Sequence, residues 1–135
     1  MNVLQKFAPL IGRVMLALIF VLSGANKIFE WKGTVGYMES AGIPIAPLFL
    51  IGAIIVEIGG GLSVLLGYRA RWGALALFVF LIPTTLIFHH FWTHLLPMVK
   101  QNQMIHFMKN ISIMGGLLMV FAYGPGPMAI EKNRR

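Results

Sequence analysis

Apolar residues fall into four long runs along this chain, separated by short stretches that contain most of the charged and polar residues. The runs cover about 8–29, 45–67, 72–92 and 110–127. A helix needs about 20 mostly apolar residues to cross a bilayer, and backbone groups inside lipid must be satisfied within the segment. The pattern therefore predicts an all-α integral membrane protein, built as an antiparallel four-helix bundle.

The connections between these runs differ in character. The link at 68–71 is tight and makes the second and third spans antiparallel neighbours. The segment 30–44 contains several glycines and Pro44, which is typical of a partly structured loop. The segment 93–109 mixes apolar and polar residues, so we expect interfacial or re-entrant packing there. In only 135 residues, these connections leave room for one transmembrane domain, 1–135.

Composition agrees with a membrane location. The chain is 58% hydrophobic and 11% charged, whereas soluble domains carry about 25% charged residues. The formal charge of +7 arises from basic residues at the ends of apolar runs, which favours a lipid bilayer partner over nucleic acid. Cysteine is absent, which excludes a disulfide framework, a thiolate metal site and a thiol relay within the chain.

Basic residues near the span ends predict the orientation. One side holds Lys6, Arg13, Arg69, Arg71, Lys132, Arg134 and Arg135, and the other holds Lys27, Lys32, Lys100 and Lys109. The richer side should be cytoplasmic, which places both termini in the cytoplasm. A cleaved secretory signal is the competing interpretation of the first run. The further spans favour an uncleaved first helix.

Glu57 is the one charged residue between Glu39 and Arg69, and it lies inside the second span. An acid at that depth is costly and needs a cation or a proton. Arg13 is the one cation on the inner half of a span, and helix rise places it within reach, so we predict an Arg13–Glu57 pair. The pair either fixes the helix register or provides an acid that handles protons or anchors a ligand.

A second polar group gathers near the predicted outer face. It consists of Asn26, Lys27, His89, His90, His106, Lys109 and Asn110. His89 and His106 can take up protons near neutral pH, and with the lysines they form a positive patch suited to an anionic or quinone-type head group. Contact with lipid phosphates is the alternative. His90 and His94 are four residues apart, but no nearby acid completes a metal site, so we predict none.

Several short motifs occur in a characteristic order. They are Gly12-Arg13, Ser23-Gly24-x-x-Lys27, Ala41-Gly42-x-Pro44, Glu57 before a glycine cluster, Phe88-His89-x-Phe91-Trp92, Phe107-x-Lys109-Asn110 and Gly124-Pro125-Gly126. In order and spacing the chain resembles the DoxX family of small membrane proteins over nearly its whole length. The resemblance implies a four-helix membrane bundle and a link to quinone-dependent sulfur oxidation, terminal oxidase assemblies or membrane redox complexes. Met128-Ala129-Ile130 stands where the family usually has a polar residue.

These observations lead to a functional hypothesis with two alternatives. The protein is expected to be a redox-associated subunit in a bacterial inner membrane that binds a quinone-like or small anionic ligand near the outer face, with a protein partner or further copies of itself. The candidate catalytic residues are Glu57, Arg13 and His89, and the candidate ligand-binding residues are Asn26, Lys27, His106, Lys109 and Asn110. The alternatives are a non-enzymatic assembly or structural subunit, and a small-solute carrier that works as an oligomer.

Overall fold

The computed structural model describes residues 1–131, and within that range every regular element is helical. The elements are α1 (Val3–Phe29), α2 (Trp31–Ser40), α3 (Ala46–Leu66), α4 (Ala70–Phe88), a short 3-10 helix (Phe91–Thr93) and α5 (Pro97–Tyr123). Helices α1, α3, α4 and α5 are long and apolar enough to cross a membrane. The predicted fold class is confirmed.

The helix ends follow from local sequence. Asn2 begins α1 with a capping box, because its side chain accepts from Gln5 N at 2.8 Å while Gln5 Oε1 accepts from Asn2 N at 3.2 Å. Gly67 ends α3 in the left-handed conformation, with φ of 70°, which suits glycine because it lacks a Cβ. Pro97 stands in the first turn of α5, where its missing N–H costs nothing.

Two segments are more helical than the apolar runs indicate. The segment 30–44 contains α2, which has ten residues. Helix α5 begins at Pro97, well before the predicted start at 110. Polar side chains on its early turns interrupt the apolar run but do not prevent a helix, since Gln, Lys and Met all have good helix propensity.

The four long helices pack in chain order, α1 against α3, α3 against α4 and α4 against α5, while α1 makes few contacts with α5. Their shared core is apolar and includes Ala17, Phe20, Val64, Leu77 and Leu117. The bundle is therefore open along its α1–α5 side. Large apolar side chains are exposed along all four helices, as expected for surfaces that face lipid rather than water.

Glycines set the register of α1 against α3. A Cβ at Gly61 would lie 2.9 Å from Val21 Cγ2, and a Cβ at Gly24 would lie 2.5 Å from Ile58 Cγ1. Such close approach is how helices associate where lipid provides no hydrophobic drive. Residues 21–24 of α1 are thus level with residues 58–61 of α3. Because the two helices are antiparallel, the N-terminal part of α1 lies near the C-terminal end of α3.

The end of the bundle that carries the α3–α4 turn is closed by the C-terminal segment, 124–131. Ile130 N donates to Leu66 O and Glu131 N donates to Gly67 O, both at 3.0 Å. The Glu131 side chain accepts from Ala70 N at 2.9 Å, so it satisfies an amide at the start of α4, where a negative charge is favourable. A polar residue thus follows the Gly-Pro-Gly motif five positions after Gly126. Lys132, Arg134 and Arg135 lie outside the described residues.

The opposite end, which we term the α2 end, is covered in part by α2. Met38 of α2 is buried with Ala46 and Leu50 of α3, and Tyr37 stacks on Phe88 of α4 with ring centroids 5.2 Å apart. The chain between α1 and α3 therefore folds back against the bundle and forms part of the wall around the polar residues described next.

Candidate functional site

Glu57 is buried in the middle of α3 and is paired with Lys27 of α1. Lys27 Nζ donates to Glu57 Oε1 at 3.0 Å, to Oε2 at 3.1 Å and to Ser23 Oγ at 2.7 Å. The Glu57 side chain is 6% exposed and that of Lys27 is 23% exposed. Ser23 and Lys27 are one helical turn apart, so they share a face of α1. The arrangement gives a desolvated carboxylate an ammonium partner on the neighbouring helix.

The predicted Arg13–Glu57 pair is wrong. Arg13 is buried, but it donates to the backbone carbonyls of Val64 (3.3 Å), Leu65 (3.0 Å) and Met128 (2.9 Å). Since Gly24 lies level with Glu57, Arg13 lies 11 residues, or about 16 Å of helix, towards the other end of the bundle. There its charge meets the C-terminal carbonyls of α3, which carry the negative end of the helix dipole.

A cavity of about 910 Å³ opens beside the Lys27–Glu57 pair, and we term it the polar cavity. All five helices contribute to its lining. The polar residues that line it are Ser23, Asn26, Lys27, Thr34, Glu57, Thr84, His89, Lys109 and Asn110. The remaining wall is apolar and includes Phe20, Val56, Phe80 and Leu81. A few polar groups in a mostly apolar cavity is the common composition of a small-molecule site.

Helix α5 and the end of α4 supply the second half of the polar group. His89 Nδ1 lies 2.8 Å from Gln103 Oε1, and the His89 ring stacks on that of His106 with centroids 5.1 Å apart. Lys109 Nζ lies 3.4 Å from His106 Nδ1. Gln103 therefore positions His89, while His106 supports it from the side away from the cavity.

Asn110 is buried and held in one orientation. Its Nδ2 donates to Thr85 Oγ1 of α4 at 3.0 Å. Because the amide has a second N–H and a carbonyl oxygen, Asn110 retains hydrogen-bonding capacity towards the polar cavity that it lines.

The structure brings most of the predicted site residues together. Six line the polar cavity: Asn26, Lys27, Glu57, His89, Lys109 and Asn110. His106 does not line the cavity but stacks on His89. Arg13 is at the other end of the bundle. Whether these residues bind a ligand or act in catalysis stays a prediction.

Sequence reasoning missed three supporting residues. Ser23 and Gln103 had a signal available, since each lies one turn from a selected residue, Lys27 and His106 respectively. Thr85 had none, because its role depends on how α4 packs on α5. Residues 1–131 contain no cluster of three or more potential metal ligands, although the His90 and His94 rings stack with centroids 5.4 Å apart.

Comparison with known proteins gives the family. The DoxX family model matches residues 8–90, more than half of the chain. The chain belongs to the DoxX family. The match covers α1 to α4 and so includes Arg13, Lys27, Glu57 and His89, and it confirms the resemblance found in the sequence motifs. The part of the candidate site that α5 supplies, with Lys109 and Asn110, lies beyond the matched residues.

Relatives of this DoxX protein occur in bacteria and in an insect. The chain is 35% identical to the inner membrane protein YphA of Escherichia coli, over 92% of this chain and 88% of the relative. It is 33% identical to the inner membrane protein YqjF of the same organism, over 98% and 95%. It is 26% identical to a Surfeit locus protein 4 homolog of Drosophila melanogaster, over 97% and 42%. No solved structure matches the chain.

Together with the four candidate spans, the two bacterial relatives identify a multi-pass protein of the bacterial inner membrane.

Proposed function

We propose that this DoxX family protein binds the head group of a membrane quinone, or of a similar ligand, in the polar cavity. The observation that carries the proposal is the position of a partly buried ion pair, Lys27–Glu57, on the wall of a cavity that is otherwise mostly apolar. Ionisable groups inside a membrane are costly and usually mark a ligand or proton pathway. The cavity volume of about 910 Å³ falls in the usual range for small-molecule sites.

The lining residues have the chemistry that a quinone head group requires. Quinone oxygens accept hydrogen bonds, and Lys109 and Asn110 of α5 line the cavity with N–H donors. The three N–H groups of Lys27 already donate to Ser23 and Glu57. A quinone oxygen held by both α5 donors would be fixed at that wall of the cavity.

The same residues suit proton transfer to a bound quinone. Reduction to the quinol requires two electrons and two protons. Protons for the quinone oxygens can pass through the acid–base side chains of Glu57 and His89, which line the cavity, while the electrons would come from a partner protein. In this proposal the chain is a redox-associated subunit, and its catalytic contribution is to position the ring and relay protons to its oxygens.

A binding experiment with a matched pair of variants tests the proposal. The full chain is purified in mild detergent, extracted lipids are analysed for quinone by mass spectrometry, and a water-soluble benzoquinone is titrated against it. Lys109→Met removes a cavity donor, whereas Lys100→Met makes the same change on the same helix outside the cavity lining. We expect binding to weaken by about tenfold or more in the first variant and to be unchanged in the second.

The outcomes separate the candidate ligands. Absence of co-purified quinone together with no measurable benzoquinone binding would refute the proposal. Displacement of the benzoquinone by small anions would instead assign the cavity to an anionic ligand. A stoichiometric protein partner with no bound quinone would favour the assembly or structural role.

A further inference from the structure

A second cavity runs between α1 and α5, and we term it the α1–α5 groove. Its volume is about 1200 Å³. Its walls are largely apolar and include Met15 and Leu16 on α1 and Gly116 and Met119 on α5. The groove exists because α1 makes few contacts with α5, although both pack firmly on other helices.

The groove adjoins the polar cavity. Ile19 of α1 and Ile113 of α5 line both spaces. The polar cavity and the groove thus share two wall residues on the open side of the bundle. At the α2 end, Thr34 and Tyr37 contribute to the wall of the polar cavity. A ligand dissolved in the membrane would therefore reach the polar cavity sideways, between α1 and α5.

Geometry also favours a ligand with a neutral head and a long tail. Glu57 lies 11 residues from the start of α3 and nine from its end, so the head-group site reaches the middle of the helix. A phosphate head group at that depth would lose its hydration at high cost. A quinone ring carries no charge and can enter.

We infer that the α1–α5 groove holds the isoprenoid tail of the quinone whose head group occupies the polar cavity, an inference that rests on the function proposed above. From Ile113 to Tyr123 the groove wall follows about 15 Å of α5, or half of a hydrocarbon core of about 30 Å. The tail lies along the helices instead of extending into the surrounding lipid.

Photochemical labelling of the unaltered protein tests the position of the tail. The full chain in lipid nanodiscs is mixed with a benzoquinone that carries a long isoprenoid tail with a photoreactive group at its end. We expect labels on Met15 and Met119, which line the groove. Leu18 and Leu118 are similarly exposed but line neither space, so they should stay unlabelled. Equal labelling of both pairs would overturn the inference.

Two adjacent glycines provide a matched mutational test. A Cβ at Gly116 would lie 3.4 Å from Leu16 Cδ1, so Gly116→Leu should fill the groove; among the described residues, a Cβ at Gly115 would meet nothing within 4 Å. We expect the tail to strengthen binding by about tenfold or more in the wild type and in Gly115→Leu. Gly116→Leu should bind the tailed and tail-less quinones equally. A tail effect that is the same in both variants contradicts the inference.

The tail-less quinone keeps the two proposals distinguishable. If it binds and the tail adds nothing in the wild type, the tail groove is refuted and the proposed function stands. If neither quinone binds, the proposed function is refuted as well. A second copy of the chain in the groove is a further outcome against the inference. Because the chain has no other cysteine, a disulfide-linked dimer of oxidised Gly116→Cys would reveal a symmetric contact between two copies at the groove.

Discussion

Within residues 1–131, two charged side chains are buried, and their partners differ. Glu57 has an ammonium partner, Lys27, at 3.0 Å. Arg13 has three carbonyl partners at the end of α3 and in the C-terminal segment, and its planar guanidinium can donate to several acceptors at once. Removing the partner of a buried charge should therefore be far more harmful than removing both members of a pair.

Lys27→Met should destabilise the bundle by about 3–5 kcal/mol, because it leaves a desolvated carboxylate without its cation. Glu57→Gln should cost less, since Lys27 is partly exposed and can reach water. The double variant should recover much of the loss from Lys27→Met. Denaturant unfolding of the three variants measures this cycle. If the double variant loses the sum of the two single losses, the pair contributes no coupling.

The sequence is sufficient to identify the charged residues of the site but not to show which of them form an ion pair. Glu57 was recognised from its apolar surroundings, and Lys27, Lys109 and Asn110 from their positions near span ends. The wrong partner, Arg13, followed from aligning the ends of the first two apolar runs. In the structure α1 begins at Val3 and α3 ends at Leu66, but Gly24 and Gly61 fix a register in which α1 extends past α3. The hydropathy of the sequence does not indicate how far α1 extends past α3.

At the level of helices, close contacts at glycine determine where the polar residues lie. Gly24 is in contact with Ile58, one residue from Glu57, and it lies one turn from Lys27. The crossing of α1 and α3 at this point therefore brings the two members of the ion pair to the same depth. Gly12, on the same helix, has no described atom within 4 Å of its ideal Cβ.

Gly24→Ala and Gly12→Ala should have opposite effects on stability. At Gly24 the added methyl would lie 2.5 Å from Ile58 Cγ1, and such overpacking costs about 1–3 kcal/mol. At Gly12 the methyl has space, so the helix should gain about 0.5–1 kcal/mol. Thermal unfolding in one detergent compares the two. Equal midpoints would show that the α1–α3 register does not depend on Gly24.

For the molecule as a whole, the four long helices place the start of α1 and the segment 124–131 at the same end of the bundle. The order of packing, α1–α3–α4–α5, leaves the α1–α5 side open, and the polar cavity lies nearer the α2 end. Which end faces the cytoplasm decides which side of the membrane is nearer to the proposed head-group site. In a short multi-pass chain, the distribution of basic residues between the two sides determines the orientation.

The balance of basic residues is narrow enough to be tested by truncation. Of the seven on the terminal side, Lys132, Arg134 and Arg135 lie at the end of the sequence. Without them, each side holds four: Lys6, Arg13, Arg69 and Arg71 against Lys27, Lys32, Lys100 and Lys109. Because the bias in lysine and arginine sets orientation, we expect the full chain to insert uniformly with cytoplasmic termini. A chain that ends at Glu131 should insert in both orientations.

Paired reporters joined to the C-terminus measure both outcomes. A green fluorescent protein fluoresces when it stays in the cytoplasm, whereas alkaline phosphatase is active only when it is exported. The full chain should give fluorescence without phosphatase activity, and the truncated chain should give both. Phosphatase activity from the full chain would show the opposite orientation. The α2 end, with the polar cavity, would then face the cytoplasm. Uniform fluorescence from the truncated chain would show instead that the first helix sets the topology without the terminal cations.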